Sequence, residues 1–148
     1  MHKILLFSSI RGSDLYIPLN LISIASYLKS KGYSCEVIDG QVDDDYLNKV
    51  EKTIENEPPL AVFVSSYTGL SISPVIKLSS IIRKKFKNIP IVYGGYHGTL
   101  GGINIIKDGI ADIVVKGYGE LAAHQILEVI KSQSNDFSKI KNIVWLAS

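Results

Sequence analysis

Five short segments of this 148-residue chain have residues typed and spaced for chemistry, and each follows a short apolar run. They are Ser8-Ser9-Ile10-Arg11-Gly12, Asp39-Gly40, Ser65-Ser66-Tyr67-Thr68-Gly69, Gly94-Gly95-Tyr96-His97 and Lys116-Gly117-Tyr118-Gly119-Glu120. They are rich in glycine and hydroxyls and poor in charge. Glycine lets a backbone come close to a bulky ligand, and serine and threonine offer hydrogen bonds without filling the space. Such an edge suits binding of a large ligand better than acid–base work.

Catalytic constellations are weak by comparison. The three histidines are His2, His97 and His124. His2 precedes the first apolar run, and His124 falls among helical positions. Only His97 belongs to a ligand-edge segment, and it has no placed carboxylate to orient it. The single cysteine, Cys35, excludes a disulfide within the chain and any all-cysteine cluster or zinc site. No metal is therefore expected on protein side chains alone, and no Walker loop or nucleophile elbow appears. A phosphoacceptor domain needs acidic residues where Ser8-Ser9 and Ser65-Ser66 stand, although Lys116 does follow the fifth run. Ser8 to Ser13 is a partial match to a flavin phosphate loop. Gly117, Gly119 and Ala122 have dinucleotide-fingerprint spacing, but after the fifth strand rather than the first.

The elements that position these segments follow from periodicity. Ile4–Phe7 reads as a strand buried on both faces, and Cys35–Ile38, Leu60–Val64, Ile89–Tyr93 and Ala111–Val115 read as further strands. Between them lie helical patterns. The first opens at Pro18, carries Leu21, Ile24, Ala25 and Leu28, and ends at Gly32. The second opens at Asp43–Asp45 and buries Leu47, Val50 and Ile54. The third runs from about Ser73 to Phe86, buries Val75, Leu78, Ile81 and Ile82, and ends in Arg83, Lys84, Lys85 and Lys87. A looser fourth covers about Leu100–Lys107, and a fifth after Gly119 carries Ala123, Ile126, Leu127 and Ile130 on one face. Strands alternating with helices predict an α/β fold: a doubly wound, parallel five-stranded sheet in a flavodoxin-like (Rossmann-like) three-layer sandwich. Asn142–Leu146 is a possible sixth strand.

Length and composition agree. Residues 1–148 suit one domain. The chain is 46% hydrophobic and 20% charged, with a formal charge of +2. That balance lacks the electrostatic footprint of a nucleic-acid or membrane-surface partner. No apolar run approaches the roughly 20 residues that span a bilayer, and the N-terminus lacks a secretory pattern, so a cytoplasmic protein is expected.

Taken in order, the edge segments resemble those of the cobalamin-binding domain that precedes the barrel in B12-dependent radical SAM enzymes. The resemblance covers nearly the whole chain. It rests on Pro18, on the unit from Gly32-Tyr33 to Asp39, and on Ser65-Ser66-Tyr67-Thr68-Gly69. It rests further on Gly94-Gly95-Tyr96-His97-Gly98-Thr99, similar to Gly-Gly-x-His-x-Thr, and on Ala111–Glu120, similar to a strand ending in Gly-x-Gly-Glu. The resemblance implies cobalamin across the carboxyl edge of the sheet, its nucleotide tail between sheet and helices, and its corrin exposed. The implied cofactor-binding residues are Ser9, Ser65, Ser66, Tyr67, Thr68, Gly69, Gly94, Gly95, Tyr96, His97, Gly117, Tyr118, Gly119 and Glu120. Ser65 would contact the tail, and Gly94-Gly95 would leave room for it.

Two departures sharpen the expectation. The mutases and methionine synthase place a cobalt-ligating histidine after the first strand. Ser8–Gly12 has none, so a base-off corrinoid without a histidine lower ligand is expected. The barrel's three-cysteine cluster motif is also absent, so the iron–sulfur cluster and S-adenosylmethionine would bind outside this chain. The chain then reads as the N-terminal part of a longer radical SAM enzyme or as a free-standing corrinoid carrier. It would present cobalamin to a barrel, in cis or trans, for methyl transfer or radical rearrangement, and it holds no complete active site. The final apolar strand without a closing helix favours the longer enzyme. The alternatives are a flavodoxin-like FMN-binding electron carrier and an interaction module without a ligand.

Overall fold

A computed structural model describes residues 2–9 and 16–146. Ile10, Arg11, Gly12 and Ser13 of the candidate phosphate loop lie outside the described residues. The strands are β1 (Lys3–Ser8), β2 (Ser34–Asp39), β3 (Ala61–Ser65), β4 (Ile91–Gly94), β5 (Ile113–Val115) and β6 (Ile143–Trp145). The helices are α1 (Leu19–Ser30), α2 (Tyr46–Asn56), α3 (Ile72–Lys85), α4 (Gly95–Gly101), α5 (Ile103–Lys107) and α6 (Glu120–Lys131), with a 3-10 turn at Gly69–Ser71.

The sheet order is β2-β1-β3-β4-β5-β6. The first five strands are parallel, which is the flavodoxin-like order expected from the alternating pattern. β6 returns antiparallel, with Ile143 opposite Val115 and Trp145 opposite Ile113. Because side chains alternate along a strand, each parallel strand feeds two cores. Leu5, Phe7, Val62, Val64, Ile91 and Tyr93 pack with α2, α3 and α5. Ile4, Leu6, Ala61, Phe63, Val92 and Val115 pack with α1 and α6 on the other face.

Local signals explain most boundaries. The Pro18 carbonyl accepts from the amides of Leu21 and Ile22, each at 3.0 Å, and so starts α1. Gly32, at φ +87°, ends it: its amide reaches the Lys29 carbonyl and that of Tyr33 reaches Leu28, a Schellman closure. Tyr33 then ties α1 to α6, its hydroxyl donating to Glu128 Oε1 at 2.5 Å, where Lys131 also donates. Tyr27 and Tyr33 pack edge-on against His124 of α6.

Three expectations change. Of the expected Gly94–His97 loop, Gly94 ends β4 and Gly95–His97 are helical, because Gly95 at φ +84° turns the chain directly from β4 into α4. The single helix expected over Leu100–Lys107 becomes α4 and α5, separated by Gly102 at φ +42°. Leu47 and Ile81 are half-buried rather than core, because α2 centres on Tyr46, Val50 and Ile54 and α3 on Val75, Leu78 and Ile82.

Two stability predictions follow from these contacts. A Cβ at Gly95 would lie 2.6 Å from Ser65 Oγ and 2.8 Å from the Ser66 carbonyl, whereas one at Gly94 meets nothing within 4 Å. Gly95→Ala is therefore expected to cost about 2 kcal/mol or more in urea unfolding, and Gly94→Ala close to nothing. Hydrogen bonds from Lys131 and Tyr33 hold the Glu128 carboxyl below its ordinary 4.5. Its contribution is complete above that value and is lost as pH falls through the lower folded-state pKa. Glu128→Gln should therefore flatten the acid limb of stability against pH, by about 1 kcal/mol or less for so exposed a pair.

Candidate functional site

Register builds the site. Ser8 lies opposite Ser65, and Ser65 opposite Gly94, at the last positions of β1, β3 and β4. By alternation all three share the face of Leu6, Phe63 and Val92, which α1 and α6 cover. The carboxyl edge of that face thus ends in a shelf of two serines and a glycine. In a sheet of this order, ligands bind beyond this edge, where the strand order reverses.

Above the shelf is a cleft of about 300 Å³. Leu19, Asn20, Leu21 and Ile24 of α1 form one wall, and Gly119, Glu120 and Ala123 form the other. Phe63, Ser65, Val92, Gly94 and Val115 form the floor, with Gly117 and Tyr118 at the mouth. The missing Cβ of Gly94 leaves open space. Gly119 is close-packed: a Cβ there would lie 3.1 Å from Ile24 Cδ1. The lining is mostly apolar with few polar groups, as in small-molecule sites. Asn20 Nδ2 donates to Ser65 Oγ at 2.6 Å, and Ser23 Oγ of α1 donates to Glu120 Oε1 of α6 at 2.7 Å.

A polar web braces the edge. Ser9 is fully buried; its amide donates to the Ser65 carbonyl and its hydroxyl to that of Ser71 at 2.5 Å. Ser66, also fully buried, shares a 2.5 Å hydrogen bond with the Tyr93 hydroxyl. Burial raises the Tyr93 phenol above its ordinary pKa, so it stays protonated. The His97 amide donates to the Ser66 carbonyl. Thr99 Oγ1 donates to the Gly95 carbonyl and accepts from the Gly117 amide, both at 3.1 Å, which links the loops after β4 and β5.

The candidate residues accordingly divide into groups. Ser65, Gly94, Gly95, Gly117, Tyr118, Gly119 and Glu120 line the cleft. Ser9 and Ser66 spend their hydroxyls inside the fold. Tyr67 and Tyr96 stack on the outer rim, ring centroids 6.5 Å apart, and Thr68 and Gly69 are exposed beside them. His97 packs against Tyr93, 6.0 Å between ring centroids, and its Nδ1 is buried without a partner. Tyr93 belongs to the core on the opposite face of the sheet from the cleft. Reading post-strand loops alone misses Leu19, Asn20, Phe63, Val92 and Val115 as lining residues, and takes Leu21, Ile24 and Ala123 only as helix core. Period-two alternation would have grouped Phe63, Val92 and Val115, and Asn20 is the one polar residue in the apolar run from Ile17 to Ile22.

A larger cavity, about 590 Å³, lies at the amino ends of β4 and β5, between Arg83, Pro90, Asp112, Phe137 and Trp145. It contains none of the edge segments, and Arg83 there is paired with Asp112 at 2.9 Å. Among the described residues no group of three or more His, Cys, Asp or Glu side chains could hold a metal ion, and no helix is long and apolar enough to cross a membrane.

Comparison with known proteins identifies the family. A family model described as B12 binding domain matches residues 12–127. An anaerobic magnesium-protoporphyrin IX monomethyl ester cyclase from Synechocystis is 24% identical over 130 residues, covering 86% of this chain and 26% of that protein. The chain thus spans about a quarter of the length of the curated relative it matches. The radical S-adenosylmethionine methyltransferase TsrM from Kitasatospora setae, solved with cobalamin and an iron–sulfur cluster, superposes with a TM-score of 0.84 at 20% identity. That match covers 97% of this chain and 29% of TsrM. OxsB, a cobalamin-dependent S-adenosylmethionine radical enzyme solved with aqua-cobalamin, gives 0.85 at 15% identity, over 100% of this chain and 21% of OxsB. A cobalamin-binding protein from Desulfitobacterium hafniense gives 0.66 at 12% identity, over 87% of this chain and 58% of its own. These structural likenesses establish the shared fold, and the sequence match extends over most of the chain. The chain belongs to the B12-binding domain family, whose cofactor is cobalamin.

Proposed function

We propose that this domain holds cobalamin with its nucleotide tail in the cleft between α1 and α6 and its corrin ring outside, and presents it to a radical SAM catalytic module. The observation that carries the reading is the shelf Ser8–Ser65–Gly94 beneath an apolar slot, with open space where Gly94 lacks a Cβ. At about 300 Å³ the slot is at the lower end of ligand pockets. That volume suits a flat base and its sugar, while a whole corrinoid must extend beyond the edge. Ser65, Gly94, Gly95, Gly117, Gly119 and Glu120 would hold the tail. Ser9, Ser66 and Thr99 would keep the loops in place. When bound, the cofactor supplies cobalt-centred methyl-transfer or radical chemistry; the chain binds and orients it.

The surface supports a capping module. Exposed apolar side chains stand in every described segment after a parallel strand. They include Ile17 and Leu19 before and in α1, Val42 after β2, and Leu70 (82% exposed) after β3. Leu100 and Tyr118 (94% exposed) follow β4 and β5. An apolar rim of this kind marks an interaction surface. The TsrM and OxsB neighbours, both radical S-adenosylmethionine proteins, make a radical SAM barrel the partner of choice. Whether that barrel lies in cis or in trans, methyl transfer or rearrangement would take place with residues beyond those described.

The corrinoid would be held base-off without a histidine lower ligand. His97 is the one histidine near the edge, and it packs on the opposite face of the sheet from the cleft, with Nδ1 buried.

Hydroxocobalamin incubated with the protein should survive desalting, while FMN should not; retention of FMN alone would favour the flavodoxin-like reading. Gly94→Leu, which fills the open space, should weaken corrinoid binding at least tenfold with little change in the unfolding midpoint. His97→Ala should leave the spectrum of the bound corrinoid unchanged; loss of a nitrogen-ligated spectrum in that variant would make His97 the lower ligand and overturn the histidine-free assignment.

A further inference from the structure

Of the cleft-lining side chains on α1 and the sheet, two are polar, Asn20 and Ser65, and they bond to each other. Asn20 Nδ2 donates and Ser65 Oγ accepts, at 2.6 Å. A hydroxyl has one proton and two lone pairs. With Oγ acting as acceptor toward Asn20, the Ser65 proton is left for another partner, and no acceptor among the described residues takes it. The oxygen has little freedom: Ser65 is 2% exposed, and Oγ lies 2.6 Å from where a Cβ of Gly95 would stand. Asn20 itself is exposed at the mouth, on the first turn of α1.

We infer that Asn20 is a positioning residue for the cofactor. It fixes the polarity of Ser65, keeping that hydroxyl a donor toward an acceptor atom on the nucleotide end of the ligand. This inference rests on the cobalamin reading above. Its chemistry is specific to the carboxamide. A carboxylate at position 20 has almost the same shape but can only accept, so it would draw the Ser65 proton to itself and leave the cleft with no donor at that point.

The test is a set of equilibrium titrations with hydroxocobalamin and with cobinamide, which keeps the corrin but lacks the nucleotide end. Asn20→Asp is expected to weaken hydroxocobalamin binding by roughly three- to tenfold, the value of one net hydrogen bond. Cobinamide affinity and the thermal midpoint should stay at wild-type values. Ser65→Ala should lose a similar factor, and Asn20→Asp in the Ser65→Ala background should lose nothing more, since the two act as a unit. Asn20→Ala, with its own Ser65→Ala double variant, gives the same coupling should the aspartate variant fold poorly. Wild-type hydroxocobalamin affinity in Asn20→Asp, parallel loss of both ligands, or a full further loss in the Ser65→Ala background would each overturn the inference. Wild-type protein that retains no corrinoid would instead overturn the cobalamin reading, and this inference with it.

Discussion

The rest of the structure depends on the register of three parallel strands. Hydrogen bonding sets Ser8, Ser65 and Gly94 side by side at the carboxyl ends of β1, β3 and β4. A slip of one residue in any strand would turn its terminal small side chain to the other face, and in one direction would bring Phe7, Val64 or Tyr93 in its place. Such slips are opposed by both cores at once, because Leu6, Phe63 and Val92 must face α1 and α6 while Phe7, Val64 and Tyr93 face α2 and α3. The shelf is therefore set by burial along the full strands, and the polar web at the edge braces it.

The cleft exists because the two faces of the sheet are covered unequally. Three helices pack on one face and two on the other. On the two-helix face, Tyr33, Glu128 and His124 draw α1 and α6 together toward the amino end of the sheet. At the carboxyl end the link is the exposed Ser23–Glu120 hydrogen bond, with the open volume above Phe63 and Val92 beneath it. Apolar walls suit a ligand that pays for its desolvation by burying a flat ring, and the polar groups at the mouth set its orientation.

Hydroxyl-rich edges do not act uniformly. Ser9, Ser66 and Ser71 are buried and spend their hydroxyls on backbone carbonyls or on Tyr93. Ser65 lines the cleft with a proton not taken up by the described residues, and Ser8 Oγ, beside it on the shelf, is likewise buried without a partner among them. A serine after a strand is thus a brace or a ligand group according to which face its alternation selects, and the distinction lies one residue apart in Ser65-Ser66.

Much was legible in the residues alone. Alternating periods determined the five parallel strands, their helices and their order, because burying an apolar strand on two faces leaves few topologies. The glycine and serine segments after those strands marked the edge at which the cleft lies, and their order carried the resemblance to B12-binding domains. Tertiary structure decided the rest. Phe63, Val92 and Val115 come from three strands, and Asn20 comes from a helix 45 positions from Ser65. Only packing across the sheet makes them neighbours. It also decided that His97 lies away from the cleft, since a turn at one positive-φ glycine, Gly95, swings the following helix toward the opposite core. Local sequence sets which residues are small, polar or apolar; the pairing of distant strands sets which of them face the same space.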